Sequence, residues 1–348
     1  MKKLTTIMSV ALTLCCASIS SWAAQAIDVQ RSFIRDTRIL LVQKRFDELD
    51  QLGERLLRDK SRFVGGDWKL YRYYGALGRP AAGWGDLSDR ATVSLGASAR
   101  SDEMWQTHIA LLRQWQAARP KSLFARIALG DVLVSYAWKA RGAGFAPTVT
   151  DAGAERFTQR LNDAKSVLTD VTVPLRQDPH WYCVMIDLAR GLGWSTSEVV
   201  DLAARGSEAE PQYQYMYSAV TRYLTPRWYG EPGDWERFAD WIAQRIGGRE
   251  GSAIYGHIAL QMSTLYGARN FFPQNRVRWD RLKRAFADQE ALYGVDRHTL
   301  NAFTLLSLFA SDNATSRALF TRIGEDWDPD VWQQRSYFDN DRARVFTR

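Results

Sequence analysis

Residues 179–192 read Pro179-His180-Trp181-Tyr182-Cys183-Val184-Met185-Ile186-Asp187-Leu188-Ala189-Arg190-Gly191-Leu192. A leading proline has the fixed φ that opens a helix, and its missing N–H is one the first turn leaves unbonded anyway. Met185, Leu188, Ala189 and Leu192 recur at the spacing of one helix face, and nothing in the stretch alternates with period two. The stretch therefore predicts a helix that begins at Pro179 and carries a small residue, Ala189, among large apolar ones.

The same pattern recurs when prolines serve as a ruler. Six, nine, ten and thirteen residues after Pro120 stand Arg126, Leu129, Gly130 and Leu133; after Pro211 stand Tyr217, Val220, Thr221 and Leu224. Large, apolar, small, apolar is the first-helix spacing of the tetratricopeptide repeat, with Arg126 the poor match. Val199 and Ala203, followed by Pro211, supply the second-helix spacing. The small residue allows two helices of a hairpin to approach closely, and each proline is expected to end one hairpin and open the next at a helix N1-like position. The intervals are irregular, so the repeats are degenerate. Further helices are expected at Phe33–Leu41, Phe46–Leu56, Trp235–Ile246, Ser252–Tyr266, Arg278–Tyr293, Arg297–Phe309 and Asn313–Ile323, with a last helix start at Asp328-Pro329 and a polar tail after about Tyr337. Looser segments fall near 78–101 and 142–153. The expected fold class is all-α, an irregular tetratricopeptide-like helix-hairpin solenoid forming one domain over 24–348.

Three aromatic and glycine-rich stretches carry a family resemblance: Gly65-Gly66-Asp67-Trp68-Lys69-Leu70-Tyr71, Ser135-Tyr136-Ala137-Trp138-Lys139-Ala140-Arg141-Gly142, and Arg227-Trp228-Tyr229-Gly230-Glu231-Pro232-Gly233-Asp234-Trp235. Together they resemble a bacterial helical-repeat family catalogued as domain of unknown function 4034, over roughly residues 30 to 345. The resemblance implies an α-helical, tetratricopeptide-like protein and carries over no catalytic residue.

The N-terminus has the form of a secretory leader. Lys2 and Lys3 precede an uncharged apolar stretch, Leu4 to Ala17, and a run of small residues. Cleavage is expected after Ala23, with Ala26 as second choice; a lipoprotein attached at Cys15 is a third reading, disfavoured by the bulky Leu14 before it. The apolar run is shorter than the roughly 20 residues of a spanning helix. The protein is thus expected to be exported, periplasmic or extracellular, with no transmembrane anchor after cleavage. Cys15 and Cys16 leave with the leader, so Cys183 has no disulfide partner and is expected to be a buried, inert thiol. The formal charge is +7, with two of those charges in the leader and the rest interspersed. No basic stripe points to nucleic acid.

Catalytic motifs are missing: there is no P-loop, no G-x-S-x-G and no H-E-x-x-H. His108, His180, His257 and His298 are isolated, so structural or solvated roles are expected and no metal ligand is assigned. Asp326-Trp327-Asp328-Pro329-Asp330 imitates a calcium loop, but Val331 stands where glycine is required and Tyr337 where glutamate is. No catalytic residue and no cofactor is predicted.

Two features remain. The chain has 14 tryptophans, one of them in the leader; they either fill gaps between irregular helices or form a stacking surface. The segment Pro226–Trp235 interrupts what should be a short hairpin turn. As a binding loop it nominates Arg227, Trp228, Tyr229, Glu231, Asp234 and Trp235 as ligand or partner contacts. As a rigid turn it is stapled by Trp228 and Tyr229. The functional expectation is a non-enzymatic module of the bacterial cell envelope that binds a protein or peptide. The alternative is a cell-wall glycan enzyme using Glu231 and Asp234 as its two carboxyls.

Overall fold

The computed structural model describes residues 29–80, 101–142, 149–170 and 172–347. The expected leader 1–23, with Cys15 and Cys16, lies outside the described residues, as do most of the expected looser segment 78–101 and the centre of 142–153. Among the described residues the chain is all-α: it forms no strand, and a single bridge joins Arg62 to Trp68.

Packing divides the chain into two compact units. Of the described residues, those within Arg31–Arg62 and Asp67–Gly247 form one; residues 29–30, Phe63–Gly66 and 248–347 belong to the other. A helix over 29–42 (α1), in the larger unit from Arg31 on, is followed there by Phe46–Asp59 (α2), Lys69–Leu77 (α3), Asp102–Ala118 (α4), Leu123–Arg141 (α5), Asp151–Leu168 (α6), Pro179–Leu192 (α7), Thr196–Ala209 (α8), Gln214–Tyr223 (α9) and Asp234–Ile246 (α10). Each helix from α4 to α10 packs on its sequence neighbour or on the first helix of the next hairpin: α5 lies on α6 and α7, and α7 on α8 and α9.

The small positions of the ruler explain the closest of these approaches. A Cβ at Gly130 would meet Leu168 Cδ2 at 2.3 Å, so α5 and α6 pack at a separation only glycine permits. Ala189 and Thr221 occupy the equivalent place in α7 and α9 and are fully buried. Every ruler position is buried except Leu192, which is half-buried.

Arg126, the mismatch, has a physical reason. Its Nη2 donates to the Pro120 carbonyl at 3.1 Å, and Tyr217 at the matching position donates its hydroxyl to the Pro211 carbonyl at 2.9 Å. Both side chains send a polar tip back to the ruler proline. Arg126 also pairs with Asp170.

The prolines themselves need correction. Only Pro179 sits at N1, behind the Asp178 cap; Pro120 and Pro211 lie in turns ahead of the caps Ser122 and Tyr213. Asp178 accepts the Tyr74 hydroxyl at 2.6 Å and the His180 N–H at 2.8 Å. Burial raises its carboxyl above the usual range, against the pull of these bonds. His180 stacks on Tyr74 at 4.2 Å and reaches the Tyr213 hydroxyl at 3.1 Å, so it is a buried, satisfied histidine. Cys183 is buried beside it, and burial pushes its thiol well above the ordinary value.

The smaller unit contains Gly248–Tyr266 (α11), Ala268–Gln274 (α12), Trp279–Tyr293 (α13), Arg297–Phe309 (α14), Asn313–Ile323 (α15), Pro329–Trp332 (α16) and Arg335–Phe346 (α17). The tetrapeptide Phe63–Gly66 belongs to it. Gly65 and Gly66 both have φ of +88°, and a Cβ at Gly65 would meet Asp296 Oδ2 at 2.0 Å. Gly65 N–H donates to the Tyr293 carbonyl at 3.0 Å, and Gln289 donates to the Gly65 carbonyl at 3.0 Å.

The expected polar tail after Tyr337 is instead part of helix α17. Phe338 and Val345, seven residues apart, are a stripe too sparse to read in the sequence; they bury against Phe320, Ile323 and Trp332. Asp328 caps α16 ahead of Pro329 as expected, accepting the Asp330 N–H at 2.8 Å.

Two predictions follow from this packing. Leu188 is fully buried, so Leu188→Asp is expected to cost about 3–5 kcal/mol through lost contacts and an unpaired buried charge. Urea unfolding checks this, and an unchanged midpoint would place Leu188 at the surface.

Asp312 caps α15 and accepts from Trp279 Nε1 at 2.9 Å, Lys283 Nζ at 3.0 Å, and the Thr315 N–H at 3.0 Å and hydroxyl at 2.8 Å. Partial burial pushes its carboxyl up, but these bonds outweigh burial and hold it well below the usual range. A depressed folded pKa gives stability that is present above the unfolded value near 3.9 and lost as pH falls towards the folded one. The stability difference between wild type and Asp312→Asn should therefore shrink on titration from about pH 5 to pH 2. A constant difference across that range would refute the role.

Candidate functional site

The segment between α9 and α10 closes on itself through backbone bonds. Trp228 N–H and Gly230 N–H both donate to the Thr225 carbonyl, at 2.9 and 3.2 Å, and Tyr229 N–H donates to the Tyr223 carbonyl at 3.2 Å. Asp234 Oδ2 accepts the Glu231 N–H at 2.7 Å, and Asp234 N–H returns to the Glu231 carbonyl at 3.0 Å. Gly230 is required by space: a Cβ there would lie 2.1 Å from the Leu224 carbonyl oxygen. The turn is thus fixed by its own chain, which lowers the ordering cost of any contact made on it.

The nominated residues separate into two groups. Arg227, Tyr229 and Glu231 are exposed, Tyr229 by 45%. Trp228 is half-buried, and Trp235 is 1% exposed. Trp235 is therefore a core residue and not a ligand contact; as the second residue of α10 its large ring falls on the packed side of the helix. Asp234 pairs with Arg237 through Oδ1 while Oδ2 holds the turn, so both its oxygens are engaged. Tyr229 stacks on Tyr223 at 4.8 Å and donates its hydroxyl to the Arg190 carbonyl at 3.1 Å, leaving one ring face to solvent.

Trp228 is held by partners the sequence reading did not nominate. Its ring meets Trp138 edge-to-face at 5.2 Å, and the guanidiniums of Arg141 and Arg190 each lie 4.7 Å from its centroid. Arg190 also covers Trp138 at 4.1 Å. Trp138 and Arg141 end α5, Arg190 ends α7, and Arg222 ends α9, so the last turns of three helices meet beneath the loop. Basic residues there complement the helix dipoles. One signal was legible: Arg190 and Arg222 both stand eleven residues after a ruler proline, next to the small position.

Electrostatically the assembly is one-sided. Arg190 is only 8% exposed and donates to Asp187 at 2.9 Å, and Arg222 approaches the same carboxylate at 3.9 Å. Burial lowers the Arg190 pKa, Asp187 opposes that, and Arg222 and Arg141 lower it further. Burial and the neighbouring Arg227 likewise lower that of Arg141. The indole N–H of Trp138 and Nε of Arg190 are buried donors with no acceptor among the described residues, a cost comparable to a lost hydrogen bond each.

Elsewhere in this unit an open groove of about 670 Å³ lies between α2 and the α4–α5 turn, lined by Asp50, Glu54, Arg58, Arg119 and Lys121. Ser122, which caps α5, donates to Asp50 at 2.5 Å along that groove. Among the described residues no group of three His, Cys, Asp or Glu is placed to hold a metal, and no helix is long and apolar enough to cross a membrane.

Residues 33–160 match the family model described as Domain of unknown function (DUF4034). The match contains the stretches 65–71 and 135–142, and with them Trp138 and Arg141; the loop 227–235 lies beyond it. No curated protein and no solved structure matches the chain.

If the clamp holds the loop, Trp228→Ala should destabilise the protein by about 2–3 kcal/mol, combining a truncated half-buried indole with two lost cation–π contacts. Urea unfolding measures this. A cost below about 0.5 kcal/mol, the ordinary range for a surface change, would show that the ring staples nothing.

Proposed function

We propose that this chain is an exported, non-enzymatic helical-repeat protein of the bacterial cell envelope that binds a peptide or protein partner at the 226–233 loop. The observation that carries the proposal is the division of labour within the loop. Trp228 and Gly230 fix its shape from below, while Arg227, Tyr229 and Glu231 present a cation, an aromatic face and an anion to solvent. Arg and Tyr are the side chains most often found at binding hot spots, because each buries a large area and keeps a polar end. Neighbour-on-neighbour helix packing supports a solenoid scaffold for this surface, since loops on such scaffolds project to one face. The leader supports export.

The glycan-hydrolysing alternative needs two carboxyls facing a sugar, one of them as an acid. Asp234 is committed to the turn and to Arg237, so the loop carboxylates favour binding over hydrolysis.

The experiment is affinity capture from envelope extract with residues 24–348 as bait, comparing wild type with the Arg227→Ala/Glu231→Ala double variant. Both side chains are exposed, so thermal stability should be unchanged while the captured partner is lost. Unchanged stability together with unchanged capture would sink the proposal.

A further inference from the structure

The groove at the N-terminal end of α5 carries charges of both signs that no described residue answers. Its walls come from one unit: α2 supplies Asp50, Glu54 and Leu57, and the end of α4, the turn and the start of α5 supply residues 118–124. Gly53 brings the two walls together, because a Cβ there would meet Phe124 Cδ1 at 2.6 Å. Glycine inside a helix costs roughly 0.5–1 kcal/mol against alanine, and here the close approach requires it. Leu57 and Leu123, both half-buried, and the buried Phe124 give the groove an apolar floor.

Some of the charged side chains along the groove are engaged within the protein. Arg58 pairs with Asp59 at 2.9 Å, Arg119 pairs with Asp47, and Asp50 accepts the Ser122 hydroxyl. Glu54 and Lys121 are exposed, and neither has a hydrogen bond or an ion pair among the described residues. Glu54 stands four residues after Asp50 on the same face of α2, and like charges at that spacing destabilise a helix. Burial raises the Asp50 carboxyl above its usual range, Ser122 opposes this, and Glu54 raises it further. A half-buried carboxylate with a second one beside it, on the wall of a cavity, is a cost that a bound cation removes. Lys121 sets an unpaired cation on the opposite wall.

We propose that this groove binds a short apolar peptide by its two free ends. The terminal ammonium sits at Asp50 and Glu54, apolar side chains cover Leu57, Leu123 and Phe124, and the terminal carboxylate meets Lys121. Charge complementarity selects this occupant: a simple cation leaves Lys121 unanswered, and a simple anion meets two carboxylates. The groove volume of about 670 Å³ lies within the range of ligand pockets, roughly 300–1,000 Å³. The site does not rest on the reading of the 226–233 loop. Phe124 opens α5, and Trp138, which meets Trp228 of the loop, follows about 20 Å along the same helix.

The test is isothermal titration calorimetry of residues 24–348 with the tripeptide Leu-Ala-Leu, its N-acetyl form and its C-terminal amide. The expected result is saturable binding that weakens about tenfold on N-acetylation, on amidation, in Glu54→Gln and in Lys121→Gln, the worth of a hydrogen bond to a charged group. Acetylation should cost less in Glu54→Gln than in wild type, because both changes remove one contact. Both variants should melt as wild type does, since each side chain is exposed and unpaired; were a variant not to fold, the capped peptides on wild type still decide the matter. Arg227→Ala/Glu231→Ala should bind the tripeptide with full affinity, and loss there would place the peptide at the loop and overturn the proposal. It is overturned equally by no saturable binding, by equal affinity for a capped peptide, by full affinity in Glu54→Gln or Lys121→Gln, or by independent effects of acetylation and Glu54→Gln. Binding of N-acetyl-arginine amide as tightly as the free tripeptide would make the groove a receptor for a basic side chain and overturn it too.

Discussion

Close approach of helices at one small residue per hairpin is the constraint on which the larger unit depends. Gly130 lets α5 lie against Leu168 of α6 at a distance that even one methyl group would forbid. Once the helices touch there, the large apolar residues on either side, Leu129 and Leu133, are buried without a gap. The same register places Leu188 beside Ala189 and Val220 beside Thr221. Interiors pack at near-crystal density, so a register set at one contact propagates along the whole helix.

The register also has a polar component. Arg126 and Tyr217 share no chemistry except a donor at the end of a long side chain, and each returns that donor to the carbonyl of the ruler proline. The carbonyl sits in a turn ahead of the helix, and the long side chain brings a donor back to it. A pattern defined by apolarity marks Arg126 as a mismatch; a pattern defined by donor reach treats it as equivalent to tyrosine.

Where helices stack through their first-helix faces, their C-terminal ends converge, and the arginines that suit each dipole separately are brought within reach of one another. The cluster beneath the 226–233 loop is a consequence of that geometry. Repulsion among guanidiniums is tolerated because Trp138 and Trp228 lie between them and Asp187 is shared. The loop takes its shape from this seat: Trp228 is clamped, and Tyr229 is tethered to the Arg190 carbonyl.

Helical class, most helix starts and the buried state of Cys183 were determined by the sequence alone, because each rests on local spacing or local chemistry. Arg297–Phe309 and Asn313–Ile323 matched residue for residue, since both begin at an aspartate cap that is visible in the chain. Helix α12 was not legible: it is seven residues long with Pro273 inside, too short to show a period. Nor was helix α17, whose two buried residues gain their meaning only from Phe320 and Trp332. The loop residues were legible as a group, but their division into staple and surface was not. Trp228 and Trp235 are identical in composition and differ in what lies against them, and burial is a property of neighbours distant in sequence. For the same reason Arg141 and Arg190, 49 residues apart, became one feature only when tertiary packing brought the ends of α5 and α7 together around a single indole ring.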